Sequence, residues 1–551
     1  MRTEVNVPTL HYPELTMAAF PSSMAALYGD RAAVVDGDTV CTYRELDERS
    51  GAFSSALRDA GVTERDVVLL HLGNCIEFVV AYYGALRAGA TVTLVNPLQP
   101  VPGLRTQIVD TGAVAAVTQP GQLDTLTEAS DGTTVRTIVV AGLPAGRGRG
   151  QFGFDEFVRG YATASFTTKV TGDDVAHLAY TGGTTGLSKG VRVLHRNVLA
   201  NVIQMIAWRA GHEVHATADG GIELRPLVGL EGRGVVPGAG ATVVVSPLFH
   251  AHALINMSFL LLCGATQVFA GRFEPGRMLE LIEKHRATYI TGSPAMWHAV
   301  ATHPDAAIRD TDSVRVVSSG AAPIDHVTLE ALGRAFPSAS VVEGYGLTEG
   351  TCLVASAPLT GADAYKLGSV GLPVFDTEVQ IRAADDSGDV LDANARGKLW
   401  VRGPQVTDGY LNQPEITAQQ YVDGWLDTGD IAYVDEDGYL FICDRTKDML
   451  IYKGYNVYPR ELEEILVSHP DISSAAVVGR EAGSVGQEPV AFVVPMPGAT
   501  VDPDAVSAFV AARVLPYKKV RDVVVVEQLP TSAAGKILKT TLREFLDTAA
   551  K

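Results

Sequence analysis

Two polar, glycine-bearing segments stand near opposite ends of the chain. The first runs Thr181, Gly182, Gly183, Thr184, Thr185, Gly186, Leu187, Ser188, Lys189, Gly190; the second runs from Thr531 to Gly535 and Lys536. Each combines backbone N–H groups that glycine lets converge with a lysine ammonium, a combination that grips a phosphate ester. Their separation implies one active site assembled from two parts of the chain, and points to ATP-dependent activation of a small molecule. The first segment is not a Walker A loop. That loop needs its lysine directly after the last glycine and a Ser or Thr after the lysine to hold magnesium. Here Leu187 and Ser188 intervene before Lys189, and Gly190 follows. What remains is a loop after the strand-like run 175–180, with hydroxyls at Thr181, Thr184 and Thr185. An exposed turn with an incidental lysine is the alternative for this segment taken alone.

The elements that must position these loops are those of a large chain. With 551 residues and 46% hydrophobic content, it is long enough for at least two domains. Its 44 basic against 63 acidic residues give a formal charge of -19, which makes nucleic acid a poor general partner. A nucleotide must then be handled locally, by loops and a few lysines. The five cysteines are scattered without metal-ligand spacing, as suits buried thiols in a reducing compartment. The sequence shows no signal peptide, and its greasiest stretch, 253–263, is too short to cross a bilayer and contains Asn256 and Ser258. A core helix and a cytoplasmic location are expected.

From residue 40 onward the hydrophobic period switches repeatedly. Residues 43–57 and 75–86 read as helices, 67–72 and 90–95 as strands, and 175–180, 288–291, 314–317 and 340–342 as further strands, each followed by a polar or glycine-rich turn. This predicts a layered α/β domain with a largely parallel sheet, whose ligands collect at the strands' carboxyl ends. The texture changes near Gly397. Residues 399–401, 431–434 and 439–442 read as short strands, the last two joined as a hairpin in which Gly438 takes a positive φ. The polar run 444–448 interrupts the pattern and is a credible hinge. Beyond it, Pro459 opens a helix rich in glutamate in its early turns, and runs at 475–478, 489–494 and 522–527 complete a compact α+β unit.

Five segments occur together and in order: 181–190, Gly344 to Glu349, Trp425 to Asp430, Asp444 to Lys447, and Gly535-Lys536. On these the chain resembles the adenylate-forming superfamily, the acyl-CoA synthetases and their luciferase-like relatives, from about residue 20 to the C-terminus. The resemblance implies a large N-terminal ATP- and acyl-binding domain over 1–443 ending in a β-rich subdomain, a hinge at 444–448, and a small mobile C-terminal domain over 449–551. It implies adenylation of a carboxylic acid by ATP with Mg2+, then transfer of the acyl group to coenzyme A with release of AMP. Transfer to a carrier-protein pantetheine is the alternative, and monomer or homodimer is left open.

By the same resemblance, Thr181, Gly182, Gly183, Thr184, Thr185, Gly186 and Lys189 would steady the β- and γ-phosphates, and Thr348 would meet the α-phosphate. Glu349 would hold magnesium as a carboxylate suited to a hard cation. Gly320, Ala321 and Ala322 with Gly344, Tyr345 and Gly346 would shelve the adenine. Asp430 would accept the ribose hydroxyls with Arg445 beside it. Lys536 would bridge the attacking carboxylate and the α-phosphate in adenylation. Lys447 matches the hinge position, while Lys453 and Gly454 would replace the Lys536 loop in thioester formation, a structural hairpin being the rival there. His250, in the run 247–254, is expected in the acyl pocket. No aspartate in that run offers a counter-charge to an amino acid's ammonium. Gly182 and Glu343, which stand where serine and glutamine are frequent, tilt the expectation toward fatty-acyl-type CoA ligases and a role in fatty acid metabolism. A medium- or long-chain or bulky cyclic acid is expected. The glycine-rich stretch 211–240 is either a lid over the acyl entrance or a surface loop.

Overall fold

The computed structural model describes residues 9–144, 146, 148, 150–162, 168–181, 188–227, 234–320, 324, 326–359, 366–385, 387–453, 455–531 and 537–549. A seven-stranded sheet has the order Gln151–Gly153, Thr137–Val140, Ala115–Thr118, Val67–His71, Thr91–Leu94, Val175–Thr181, Lys189–Leu194. All neighbours are parallel except the last pair. A second sheet places Ala241–Val244, Thr266–Phe269 and Ala32–Asp36 in parallel, with Thr39–Thr42 closing a hairpin. A third runs Tyr289–Gly292, Val316–Ser319, Ser340–Tyr345 in parallel and ends in two short antiparallel strands. Thr288 N donates to Ala241 O at 2.8 Å and stitches the second sheet to the third.

Three helices fill the space among the sheets: Ile76–Arg87, His195–Ala210 and Ala251–Leu262. They are apolar nearly all round, as a helix covered on every side must be. The exceptions on His195–Ala210 are informative. Asn197, Asn201 and Gln204 are buried at i, i+4 and i+7, so they share one face. Asn197 Nδ2 donates to the carbonyls of Pro404 and Val406 at 2.9 and 3.0 Å, Asn201 exchanges two 2.9 Å bonds with the backbone of Leu353, and Gln204 Nε2 donates to Phe375 O at 2.7 Å. Buried amides must be paired. Their pairing fixes one loop of the third sheet and two loops of the neighbouring β-rich region to the helix that follows the first glycine-bearing segment.

That region pairs Glu378–Arg382, Gly397–Arg402, Trp425–Val434 and Leu440–Arg445 antiparallel, and Gly438 has φ 88° in the expected hairpin. A smaller α+β domain follows. Ile472–Glu481 and Gln487–Pro495 pair antiparallel with Asp522–Val525 added in parallel. Pro459–Val467 and Pro503–Ala511 contribute to the apolar cluster on one face, Lys539–Ala549 to that on the other. The fold is a large α/β N-terminal domain with a small α+β C-terminal one.

Two segments differ from their sequence reading. The strand Leu440–Arg445 runs into the polar stretch, because the buried Asp444 caps two backbone donors, Arg445 N at 2.8 Å and Arg460 N at 3.0 Å, and Arg445 pairs with Asp430. Within 211–240, His212–Ala216 and Ile222–Pro226 form an antiparallel hairpin whose Val214 and Ile222 join the main core. It is thus anchored over that part; residues 228–233 lie outside the described residues. No helix among the described residues is long and apolar enough to cross a membrane, and Cys41, Cys75, Cys263, Cys352 and Cys443 are all free thiols.

Candidate active site

Thr181 ends its strand opposite Lys189, which opens the strand leading to His195–Ala210, so the two ends of the expected phosphate loop face each other. Ser188 Oγ donates to Thr181 O at 2.7 Å and closes the base of that loop. Gly182, Gly183, Thr184, Thr185 and Gly186 lie outside the described residues, as do Ala321, Ala322, Gly454 and Lys536.

Gly344 and Tyr345 finish the strand Ser340–Tyr345, longer than the sequence pattern indicated, and Thr348–Gly350 forms a single helical turn beyond it. Gly346 lies so close to the returning chain that a Cβ there would stand 1.5 Å from Cys352 O. Only glycine fits. Thr351, at φ 63°, is held by its hydroxyl to Gln405 O at 2.6 Å, and Thr407 N donates to Glu349 O at 2.9 Å. The turn bearing Thr348 and Glu349 is thus gripped from both the core helix and the β-rich region.

Tyr345 donates its hydroxyl to Asp430 Oδ2, and Arg445 Nε stands 3.7 Å from Asp430 Oδ1. Burial and then the Asp430 charge push the Tyr345 phenol far above its ordinary range, so it stays a donor. Gly320 follows Val316–Ser319 at the same carboxyl ends, and a Cβ placed on it would lie 3.7 Å from His252 Nε2 and 3.9 Å from Gly344 O. His250 directly precedes the helix Ala251–Leu262, with its ring 4.4 Å from that of Phe249. Asn74, which the sequence did not single out, accepts from Leu248 N at 2.8 Å and donates to Ser246 O at 3.0 Å, tying this turn down. The structure therefore gathers Gly320, Gly344 and Tyr345 at one set of strand ends, and Tyr345 joins them to Asp430 and Arg445 of the β-rich region.

Lys447 lies in the turn after Arg445. Burial, with Arg445 next, lowers its pKa from 10.5 to about 8, while Asp448 and Asp430 pull the other way. Asp448 takes a 2.5 Å ion pair from Arg543, which fastens the C-terminal helix to this turn, and Glu463 takes a 2.8 Å pair from Lys539, which fastens it to Pro459–Val467. Lys453 sits at φ 52° in the tight turn between Leu450–Tyr452 and Tyr455–Val457, on the exposed rim of the small domain.

The residue that the motifs did not reveal is Tyr410. Its hydroxyl donates to Glu349 Oε1 at 2.7 Å, and Lys189 Nζ stands 5.1 Å from its ring centroid. Contacts between residues far apart in the sequence identify it. Tyr180, whose hydroxyl goes to Asp110, and Asn412, which donates to Asp110 Oδ1 at 3.0 Å, brace the same corner.

A family model described as AMP-binding enzyme matches residues 22–411, and one described as AMP-binding enzyme C-terminal domain matches residues 461–536. The chain is 33% identical to 4-coumarate–CoA ligase 1 of Solanum tuberosum, covering 98% of this chain and 96% of that one. ATP-bound MatB from Rhodopseudomonas palustris superposes with a TM-score of 0.85 at 26% identity, over 97% of this chain and all of that one. A benzoate CoA ligase from Burkholderia xenovorans does so with a TM-score of 0.82 at 25% identity, over 96% of this chain and all of that one. The chain belongs to the AMP-binding, adenylate-forming enzymes. It is an ATP-dependent, AMP-forming acid–CoA ligase.

The expectation of a fatty-acyl-type ligase is overturned by these relatives, two of which are named as ligases of coumarate and of benzoate, and a role in fatty acid metabolism has no support. The physical reason lies in what Glu343 does. It is buried, and its Oε1 accepts Ile324 N at 3.0 Å, pinning the chain beyond the strand end. A residue spent on that bond carries no information about the acid.

Proposed function

We propose that the acid is an aromatic carboxylic acid, activated with ATP and Mg2+ and passed to CoA. The observation that carries this reading is the end-to-end likeness to 4-coumarate–CoA ligase. Among the described residues no group of three His, Cys, Asp or Glu could cage a metal. That suits magnesium, which keeps its waters and takes one carboxylate plus phosphate oxygens. Glu349 is the carboxylate at hand, and the ion would neutralise charge growing on the phosphates.

In the first step a carboxylate oxygen of the acid attacks the α-phosphorus, the bond to the bridging oxygen breaks and pyrophosphate leaves. The loop from Thr181 to Lys189 holds the β- and γ-phosphates, Thr348 meets the α-phosphate, and Lys536 offsets the repulsion between the two reacting anions. Tyr345 and Arg445 hold Asp430 ready for the ribose, and Gly320, Ala321, Ala322, Gly344 and Gly346 leave room for the base. In the second step a thiol sulfur attacks the adenylate carbonyl and AMP leaves. The domain 449–551 turns about Lys447 in 444–448, bringing Lys453 and Gly454 where Lys536 had been. His250 lines the acyl pocket of domain 1–443.

The test is an acid panel scored by AMP release with and without CoA. Cinnamate- and benzoate-type acids should give AMP and acyl-CoA in equal amounts. Turnover confined to straight-chain fatty acids, or AMP release that needs a holo carrier protein, would overturn the reading.

A further inference from the structure

We infer that Tyr410 is a positioning residue that holds the metal-bearing carboxylate Glu349 and the phosphate-loop lysine Lys189 in one register. The inference rests on the reading of Glu349 as the magnesium carboxylate.

The placement of Tyr410 is over-determined. Leu411 N donates to Gly190 O at 2.8 Å, Arg192 N to Gly409 O at 3.0 Å, and Tyr410 N to Thr417 Oγ1 at 3.0 Å. Gly409 takes φ 131° against Thr417, where a Cβ would meet Cγ2 at 2.2 Å. The backbone of 409–411 is therefore a rib laid across the strand that leaves the phosphate loop. Loop drift cannot carry the ring elsewhere, and the ring itself is buried at 5% exposure.

One ring then makes two charge contacts. Its hydroxyl donates to Glu349 Oε1 at 2.7 Å, a charge-assisted bond. Its face receives Lys189 Nζ at 5.1 Å, within cation–π range. Among the described residues no donor is bonded to the second Glu349 oxygen, which leaves it to a cation. A flexible glutamate would otherwise lose rotamer freedom on binding metal; a pre-set one does not.

The experiment titrates Mn2+ into the full-length enzyme with ATP, read by its paramagnetic resonance signal, and separately measures metal-free ATP binding. Tyr410→Phe keeps the ring and removes the hydroxyl, and should weaken Mn2+ by about tenfold while leaving metal-free ATP binding alone. Tyr410→Leu should weaken both. Acyl transfer from a supplied acyl adenylate should be unaltered in Tyr410→Phe, which separates positioning from general damage. Parent-like Mn2+ affinity in Tyr410→Phe, with Glu349→Gln impaired, overturns the inference alone. Parent-like affinity in Glu349→Gln overturns the reading of Glu349 beneath it. Equal loss of metal binding and acyl transfer in Tyr410→Phe would show a merely structural role and also overturn it.

Discussion

Gly346→Ala tests whether the turn of Thr348 and Glu349 is held as tightly as its packing implies. The added Cβ would stand 1.5 Å from Cys352 O, 2.6 Å from Cys352 C and 3.2 Å from Leu353 Cα. All three are backbone atoms, so no rotamer relieves the clash. Reaching even a tight 3.0 Å contact requires 3.0 − 1.5 = 1.5 Å of movement between residues 346 and 352, the span that carries Thr348 and Glu349. A misplacement of about 1 Å costs on the order of 10² in rate, so adenylation should fall by about 10²–10³, or ~3–4 kcal/mol of transition-state stabilisation. Stability should fall by only about 1–3 kcal/mol, the usual cost of overpacking. Gly333→Ala is the control: it lies in His326–Ala335 with nothing within 4 Å of an added Cβ. It should stabilise by about 0.5–1 kcal/mol and leave the rate alone. The assay is pyrophosphate release in steady state, beside a urea melt. A folded Gly346→Ala enzyme adenylating within about threefold of the parent would refute the reasoning, since that is under ~1 kcal/mol.

Lys447 has a folded pKa of about 8 against 10.5 unfolded, so between those values the unfolded chain binds more protons. Its contribution therefore destabilises most below pH 8 and is relieved as pH rises toward 10.5. Lys447→Met should be more stable than the parent at pH 7, with the difference shrinking across that window; pH-resolved melts decide, and a constant difference counts against the assignment. Lys536→Ala should cut pyrophosphate release by on the order of 10²–10⁴ and spare transfer from a supplied acyl adenylate. Equal losses in both half-reactions would remove its assigned role. Tyr345→Phe strips a hydrogen bond from the buried Asp430 carboxylate and should raise the KM for ATP by about tenfold. An unchanged KM would detach Asp430 from the ribose.

Much of the fold around the site was legible because local sequence carries it. A loop that binds phosphate needs glycine, hydroxyls and lysine side by side, and the strand before it alternates with buried helices whose period shows in the chain. Hence the elements around Thr181, the strand ends at Gly344 and the hairpin at Gly438 could be read directly. The acid could not. Pocket walls come from residues far apart in the chain, and two motif letters, Gly182 and Glu343, pointed to the wrong class of acid.

The sequence by itself determined a two-domain adenylating enzyme, because loop chemistry and hydrophobic period are local properties. Only the tertiary structure decided that Asn197, Asn201 and Gln204 fasten the loops at 404–406, 353 and 375 to one helix, that Tyr410 joins Lys189 to Glu349, and that residues 212–226 form an anchored hairpin. Each of these is a pairing across a gap in sequence, and a pairing is fixed by packing and the need to satisfy buried polar groups, not by the neighbours along the chain.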